Sequence, residues 1–340
     1  MVSRKADQRK TITIIEPEDR TETLDDASDD NLFPKKEAPK QRNNRLRNFQ
    51  IVTVVVLLIL AIAVGVFFAL KHFLYDNYLA VNETNLEIEP TPEPKKEEVV
   101  LPDKIDFQPV VDSWVNSVGG NKSVLIYDLE RNEVVGEYNS KENYSTASLY
   151  KLFVVYEGYR RVQSGEWNGD DSAGYTGNTV LECLDLAIRE SNSSCAEAIW
   201  DKIGRKDLEN IIENDFGITD SDILDLVSNP QDIMKMMKIY YEHKDITDEN
   251  LIARMKDSFL NQPETTYNWR QGLPSGFKNS TVYNKVGWDF NPDENVWNLY
   301  HDAAIVETPD KSRHFIVVAM TNDVPYQNIS RLGSMIEEQF

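Results

Sequence analysis

Apolar residues follow three different patterns along this chain, and each pattern predicts a different kind of segment. Between Phe49 and Leu70 they form one run without a charged residue (FQIVTVVVLLILAIAVGVFFAL). A helix of about 20 such residues crosses a hydrocarbon layer roughly 30 Å thick, so a transmembrane helix is expected over 49–71. A cleaved signal peptide would carry a shorter apolar region, begin nearer Met1 and end at a small-residue site. From 72 to 104 the periodicity disappears. The stretch Glu87 to Pro102 (EIEPTPEPKKEEVVLP) is rich in Pro and Glu, which predicts an extended, semi-stiff linker. From about 105 to 340 apolar positions recur at helical and strand spacings, as in one globular domain.

Within that domain the pattern changes twice. Phe107, Val110, Val111, Trp114 and Val118 mark one helical face, stopped by Gly119-Gly120. Ser123 to Asp128 and Glu133 to Tyr138 alternate as strands of a hairpin turning at Arg131-Asn132. Helical spacing then dominates from Ala147 to about Met255. Strand patterns return at Thr281 to Trp288, Val296 to Glu307 and His314 to Thr321, and a last helix is expected after Asp323-Val324-Pro325. Strands near both ends and helices between them predict an α+β domain whose antiparallel sheet is completed by the two ends of the chain.

Charge sets the topology and removes one class of function. Lys35, Lys36, Lys40, Arg42, Arg45 and Arg47 precede the apolar run, whereas Lys71 is the main cation just after it. The positive-inside rule then puts residues 1–48 in the cytoplasm and the domain outside the cell membrane, held by a single span. That tail, with an acidic block from Glu16 to Asp30, has little to bury and is expected to be disordered. The net charge of -21 would repel polyphosphates, so nucleic acid is not an expected partner.

Candidate chemistry begins in TASLYKLFVVYEGY. Ser148 and Lys151 stand three apart at the start of an apolar helix, one turn apart on one face. A hydroxyl becomes a nucleophile when a neighbour takes its proton, and a lysine can do so once burial or a second cation lowers its pKa. S-x-x-K alone is a common spacing. Two further stretches give it context: Ser191-Asn192-Ser193, at the junction of two helical segments, and Lys285-Val286-Gly287, in a strand pattern near the C-terminus. A strand lysine beside a glycine can hold a substrate carboxylate while the backbone comes close. The four histidines are scattered without metal-ligand spacing, so no metal and no cofactor is expected.

In this order and setting the three stretches resemble the S-x-x-K, S-D-N and K-T-G elements of class A β-lactamases and penicillin-binding proteins. Arg270 to Gly276 (RQGLPSG) is similar to the family's R-x-G-I-P-A-G stretch, and His301-Asp302-Ala303-Ala304-Ile305-Val306 is similar to the strand after its lysine strand. The resemblance covers residues 107 to 340. It implies that Ser148 attacks an amide or lactam carbonyl and Lys151 takes its proton. It also implies that Ser191 relays a proton to the leaving nitrogen, and that Lys285 holds the relay and attracts the substrate carboxylate. The oxyanion hole would be the backbone N–H groups of Ser148 and Trp288. Ser193, Asn192, Val286 and Gly287 fall at substrate-binding positions.

The sequence also departs from that pattern. Asn192 and Ser193 stand where the family has Asp and Asn, which removes an amide, and Val286 stands where it has a hydroxyl. No E-x-x-L-N loop supplies a water-activating glutamate. Asp225 in DLVSN has matching outer spacing, but Asn229-Pro230 reads as the start of a helix. A membrane-anchored acyl hydrolase of the penicillin-binding type is the leading expectation. A true β-lactamase with an unrecognised base and a catalytically weak wall-peptide or partner-binding module are the alternatives. Cys183 and Cys195 flank Ser191; a disulfide would brace that turn, and two buried thiols are the other possibility.

Overall fold

The computed structural model describes residues 62, 64–72, 101–263, 268–291 and 296–340. The chain divides into two units, residues 1–95 and 96–340. In the first, Ile62 and Val64 to His72 are helical and exposed. The tail over 1–48, most of the expected span over 49–71 and most of the linker lie outside the described residues. Among the described residues no helix is long and apolar enough to cross a membrane.

The second unit is built on one antiparallel sheet. Its strands are β1 (Asn121–Asp128), β2 (Glu133–Tyr138), β5 (Thr281–Asn291), β6 (Val296–Glu307) and β7 (His314–Asn322). Their order is β2-β1-β7-β6-β5, so strands from both ends of the chain meet at the β1–β7 ladder, where Ile126 faces Val317. β7 shows how the sheet divides the core. Ile316, Val318 and Met320 point to one face and Phe315, Val317 and Ala319 to the other, and all six are buried.

Each face has its own cover. The first packs on the helical middle: α2 (Lys151–Gln163), α3 (Val180–Arg189), α4 (Ser193–Ile203), α5 (Arg205–Asn214), α6 (Pro230–Glu242) and α7 (Glu249–Leu260). The second packs on α1 (Gln108–Ser117), the short α8 (Leu273–Gly276) and α9 (Tyr326–Glu337). α1 buries Val110, Val111 and Trp114, three of the positions that its spacing marked. The observed architecture is thus an α+β fold with a helical middle.

Two local devices matter for the site. α3 begins with a capping box, in which Thr179 and Glu182 satisfy each other's backbone N–H groups. A two-residue ladder pairs β3 (Tyr144–Ser145) with β4 (Val227–Ser228), too short to register as a strand in the sequence pattern. It ties the segment ahead of Ser148 to the loop that leads into α6.

Candidate active site

Ser148 sits where the chain turns from that ladder into α2. Thr146 N–H donates to Leu226 O at 2.7 Å and Leu149 N–H to Thr146 O at 2.9 Å. Ala147 between them has φ of 43°, a left-handed conformation costly for a residue with a Cβ. Ser148 follows within a short 3-10 turn (Ala147–Tyr150) that runs directly into α2. The edge strand β5 lies close alongside: a Cβ on Gly287 would come within 2.6 Å of Thr146 O and 2.9 Å of Leu149 Cγ. Glycine is required here so that the strand and the serine turn can touch.

His301 braces the same turn from below. Its Nε2 lies 2.7 Å from Ser145 O, while its Nδ1 accepts from Thr321 N–H at 2.9 Å. One ring nitrogen is therefore a donor and the other an acceptor, as in a neutral imidazole. Complete burial agrees with this, pushing its pKa down to about 4. Sequence reasoning set the histidines aside because none had metal spacing. A buried strand histidine holding a carbonyl two residues before the next segment leaves no periodic signal.

Lys151 is the first residue of α2 and wholly buried. Its Nζ lies 2.9 Å from Ser148 Oγ, 2.5 Å from Ser191 O, 3.0 Å from Ser193 Oγ and 3.4 Å from Ser191 Oγ. Burial lowers its pKa to about 8, and the charge of Glu197 opposes that shift. Lys285 enters from β5 and is also buried; it donates to Ser191 Oγ at 2.9 Å and to Val286 O at 2.7 Å. Its pKa falls well below the ordinary lysine value, through burial first and the Lys151 charge second, with Asp302 opposing.

Local sequence explains how Ser191 reaches both amines. Ser191 has φ of 54°, the left-handed residue that ends α3, and Asn192 N–H bonds back to Leu186 O at 3.1 Å. Asn192 then caps α4, its Oδ1 accepting from Cys195 N–H at 3.0 Å. A helix stop and a helix start thus occupy adjacent residues, which leaves the Ser191 carbonyl facing Lys151 and its hydroxyl facing Lys285. Cys183 on α3 and Cys195 on α4 are joined by a disulfide across this junction.

The structure therefore brings Ser148, Lys151, Ser191, Ser193 and Lys285 together. The Asn192 side chain caps α4 through its Oδ1. Val286 is 1% exposed, and strand alternation turns its side chain to the face opposite Lys285, while its carbonyl accepts from Lys285 Nζ. Gly287 acts through close packing. Trp288 follows it on the edge strand, its ring stacked on Tyr326 at 5.4 Å. Asp225 lies on an exposed turn, and among the described residues no hydrogen bond or ion pair joins its side chain to Ser148 or Lys151. Asn229 caps α6, the helix start its sequence suggested.

The model of the Beta-lactamase enzyme family matches residues 106–340. No curated protein matches the sequence. Solved structures with the same fold include a beta-lactamase from Chitinophaga pinensis DSM 2588, at 14% identity and a TM-score of 0.57, covering 67% of this chain and 97% of that one. A class A beta-lactamase representative from Bacteroides cellulosilyticus DSM 14838 matches at 13% identity and a TM-score of 0.58, covering 69% and 99%. PBP-A matches at 16% identity and a TM-score of 0.57, covering 70% and 98%.

Proposed function

The chain belongs to the beta-lactamase enzyme family, and from that premise we propose that it is an active-site-serine acyl hydrolase of the penicillin-binding type. It would form an acyl-enzyme on Ser148 with β-lactam or cell-wall peptide amides and release it slowly. The observation that carries this is a buried amine 2.9 Å from the Ser148 hydroxyl, with a pKa lowered to about 8.

Four oxygens surround Lys151 Nζ, but an ammonium has three protons. A neutral amine has two protons and a lone pair. It can accept the Ser148 proton while still donating to the Ser191 carbonyl and to Ser193. As Ser148 Oγ bonds to the substrate carbonyl carbon, its proton passes to Lys151. Ser191, 3.4 Å from Lys151 Nζ, then carries a proton to the leaving nitrogen as the amide C–N bond breaks. Lys285 keeps the Ser191 hydroxyl in place, and a substrate carboxylate arriving beside it would favour its protonated form and pair with it. The backbone N–H groups of Ser148 and Trp288 would hold the developing oxyanion.

Slow release follows from what surrounds the serine. Among the described residues no carboxylate is hydrogen-bonded to Ser148 or Lys151, and Glu197, whose charge acts on Lys151, is already bonded to Tyr150 and Arg205. Water attacking the ester would then find no carboxylate base among the groups bonded to Ser148 or Lys151, and would depend on the amine alone. The apolar run at 49–70 would anchor the chain in the cell membrane with residues 1–48 in the cytoplasm, leaving the domain outside among wall peptides.

A fluorescent penicillin followed by intact-mass analysis tests this. One stoichiometric adduct that persists for minutes, maps to Ser148 and is lost in Ser148→Ala is expected. Absence of an adduct would overturn acyl transfer. Rapid turnover of the drug would overturn slow release and favour the β-lactamase alternative.

A further inference from the structure

A polar chain leads away from Lys151 to the protein surface through two aromatic rings. The Tyr150 ring centroid lies 5.6 Å from Lys151 Nζ, and the Tyr150 hydroxyl donates to Glu197 Oε1 at 2.8 Å. Glu197 stands four residues after Ser193 on α4, so both project from one face of that helix, and Ser193 already touches Lys151. The other oxygen of Glu197 pairs with Arg205, the first residue of α5. Arg205 is itself held: its guanidinium lies over the Trp200 ring at 4.4 Å, and its Nε donates to Asp201 at 2.9 Å. Trp200 packs on Tyr150 at 5.3 Å, which closes the frame.

This geometry is too constrained for a spare surface carboxylate. One oxygen faces inward on a buried tyrosine hydroxyl, the other faces outward on a guanidinium, and two rings fix the spacing. Both oxygens are occupied, so Glu197 is poorly placed to activate water. Its remaining means of action is its field. A negative charge near Lys151 favours the ammonium, against burial, which favours the neutral amine. Arg205 offsets part of that negative charge.

We infer that Glu197, restrained by Tyr150 and Arg205, is a positioning residue that sets the pH at which Lys151 can accept the Ser148 proton, with Arg205 as its counterweight. This rests on the Ser148–Lys151 acylation proposed above. The charged groups facing Lys151 are Lys285 from β5 and Glu197 from α4; Asp302 on β6 acts on Lys285, and Arg205 and Asp201 lie beyond Glu197. The hydroxyls of Ser148, Ser191 and Ser193 and the Ser191 carbonyl complete the shell without net charge.

The experiment measures the rate of Ser148 labelling by a fluorescent penicillin between pH 5.5 and 9.5, using the full-length chain and the variants Glu197→Gln, Arg205→Gln and Tyr150→Phe. Glu197→Gln should move the midpoint of the rate profile down by about half to one pH unit, a modest share of the shift that a close charge can cause. Arg205→Gln should move it up. Tyr150→Phe keeps both charges and should change the plateau while leaving the midpoint within experimental error. A structural role alone would lower plateaus and leave every midpoint unmoved. If Glu197→Gln and Arg205→Gln both keep the wild-type midpoint, or both shift it the same way, the inference is overturned and acylation by Ser148 stands. If the wild-type chain forms no adduct, acylation and this inference fall together. Arg205 is partly exposed, so its variant preserves the test should Glu197→Gln fail to fold.

Discussion

The variant Lys151→Met keeps the length of the side chain and deletes its amine. In the folded protein that amine is wholly buried, and its pKa is lowered from 10.5 to about 8. At roughly 1.4 kcal/mol per unit, this depression costs the native state about 3 kcal/mol at pH 7. The folded pKa lies below the unfolded one, so between about pH 8 and 10.5 the unfolded chain binds more protons and wild-type stability rises with pH. Below 8 the cost is present in full. Methionine escapes it and relieves the repulsion on Lys285, but it strands the Ser191 carbonyl and the Ser193 hydroxyl, at about 1 kcal/mol each. The net expectation at pH 7 is a gain of about 1–2 kcal/mol, or a few degrees in Tm for a domain of this size. At pH 10 the wild type is largely relieved of its cost, and the advantage of the variant should shrink by about 2 kcal/mol. Thermal and urea unfolding at the two pH values, run beside the penicillin-labelling assay, measure both effects. Labelling should vanish while stability at pH 7 rises. A variant that is less stable than wild type at pH 7, or a difference that ignores pH, would refute the assignment of Lys151 as an amine held against its solvation for chemistry.

Three further outcomes follow from the same geometry. The acylation rate of the wild type should climb with pH through about 8, with about a tenth of the plateau at pH 7, because only the neutral amine can accept a proton; a flat profile from pH 6 to 9 would contradict this. Gly287→Ala places a methyl 2.6 Å from Thr146 O and should push the serine turn off β5. The expected cost is about 1–3 kcal/mol of stability and on the order of a hundredfold in labelling rate, read by unfolding and by the labelling time course. Replacing Cys183 and Cys195 together by serine removes a link across a sequence separation of 12 residues. The expected loss is about 3 kcal/mol, together with slower labelling because the Ser191 turn loses its brace, and the same change should follow reduction of the native protein.

The fold was legible wherever burial follows a period. β7 is buried on both faces, each against a different core, so its continuous apolar run marked a strand but not which side chain faces which core. α1 and α9 each bury one stripe; a proline marks the start of each, and Gly119-Gly120 follow α1. What the pattern missed is short and held by backbone. The β3–β4 ladder spans two residues on each side and no hydrophobic period can arise over that length. Ala147 at positive φ was equally invisible, because alanine carries no preference for that region; only the surrounding contacts impose it.

The site was legible for a different reason. Helical spacing puts residues three apart on one face, which is how Ser148 and Lys151 come to lie 2.9 Å apart, but that spacing is common and gained meaning only beside the other two stretches. Ser191 and Lys285 come from distant parts of the chain and were found only through resemblance. Ser193, read as the loss of an amide, places its hydroxyl 3.0 Å from Lys151 Nζ, so the smaller residue satisfies the amine directly. Asn192 spends its side chain on the helix it starts. Val286 contributes a carbonyl, which any residue would carry. Side-chain identity is a poor guide at positions where the backbone meets the lysines, and a good one where a proton must move. Substitutions at 286 that keep the strand should therefore be tolerated far better than any at 148 or 151, and the ratio of labelling rates between Val286→Thr and Lys151→Met measures how far the chemistry resides in two side chains one helical turn apart.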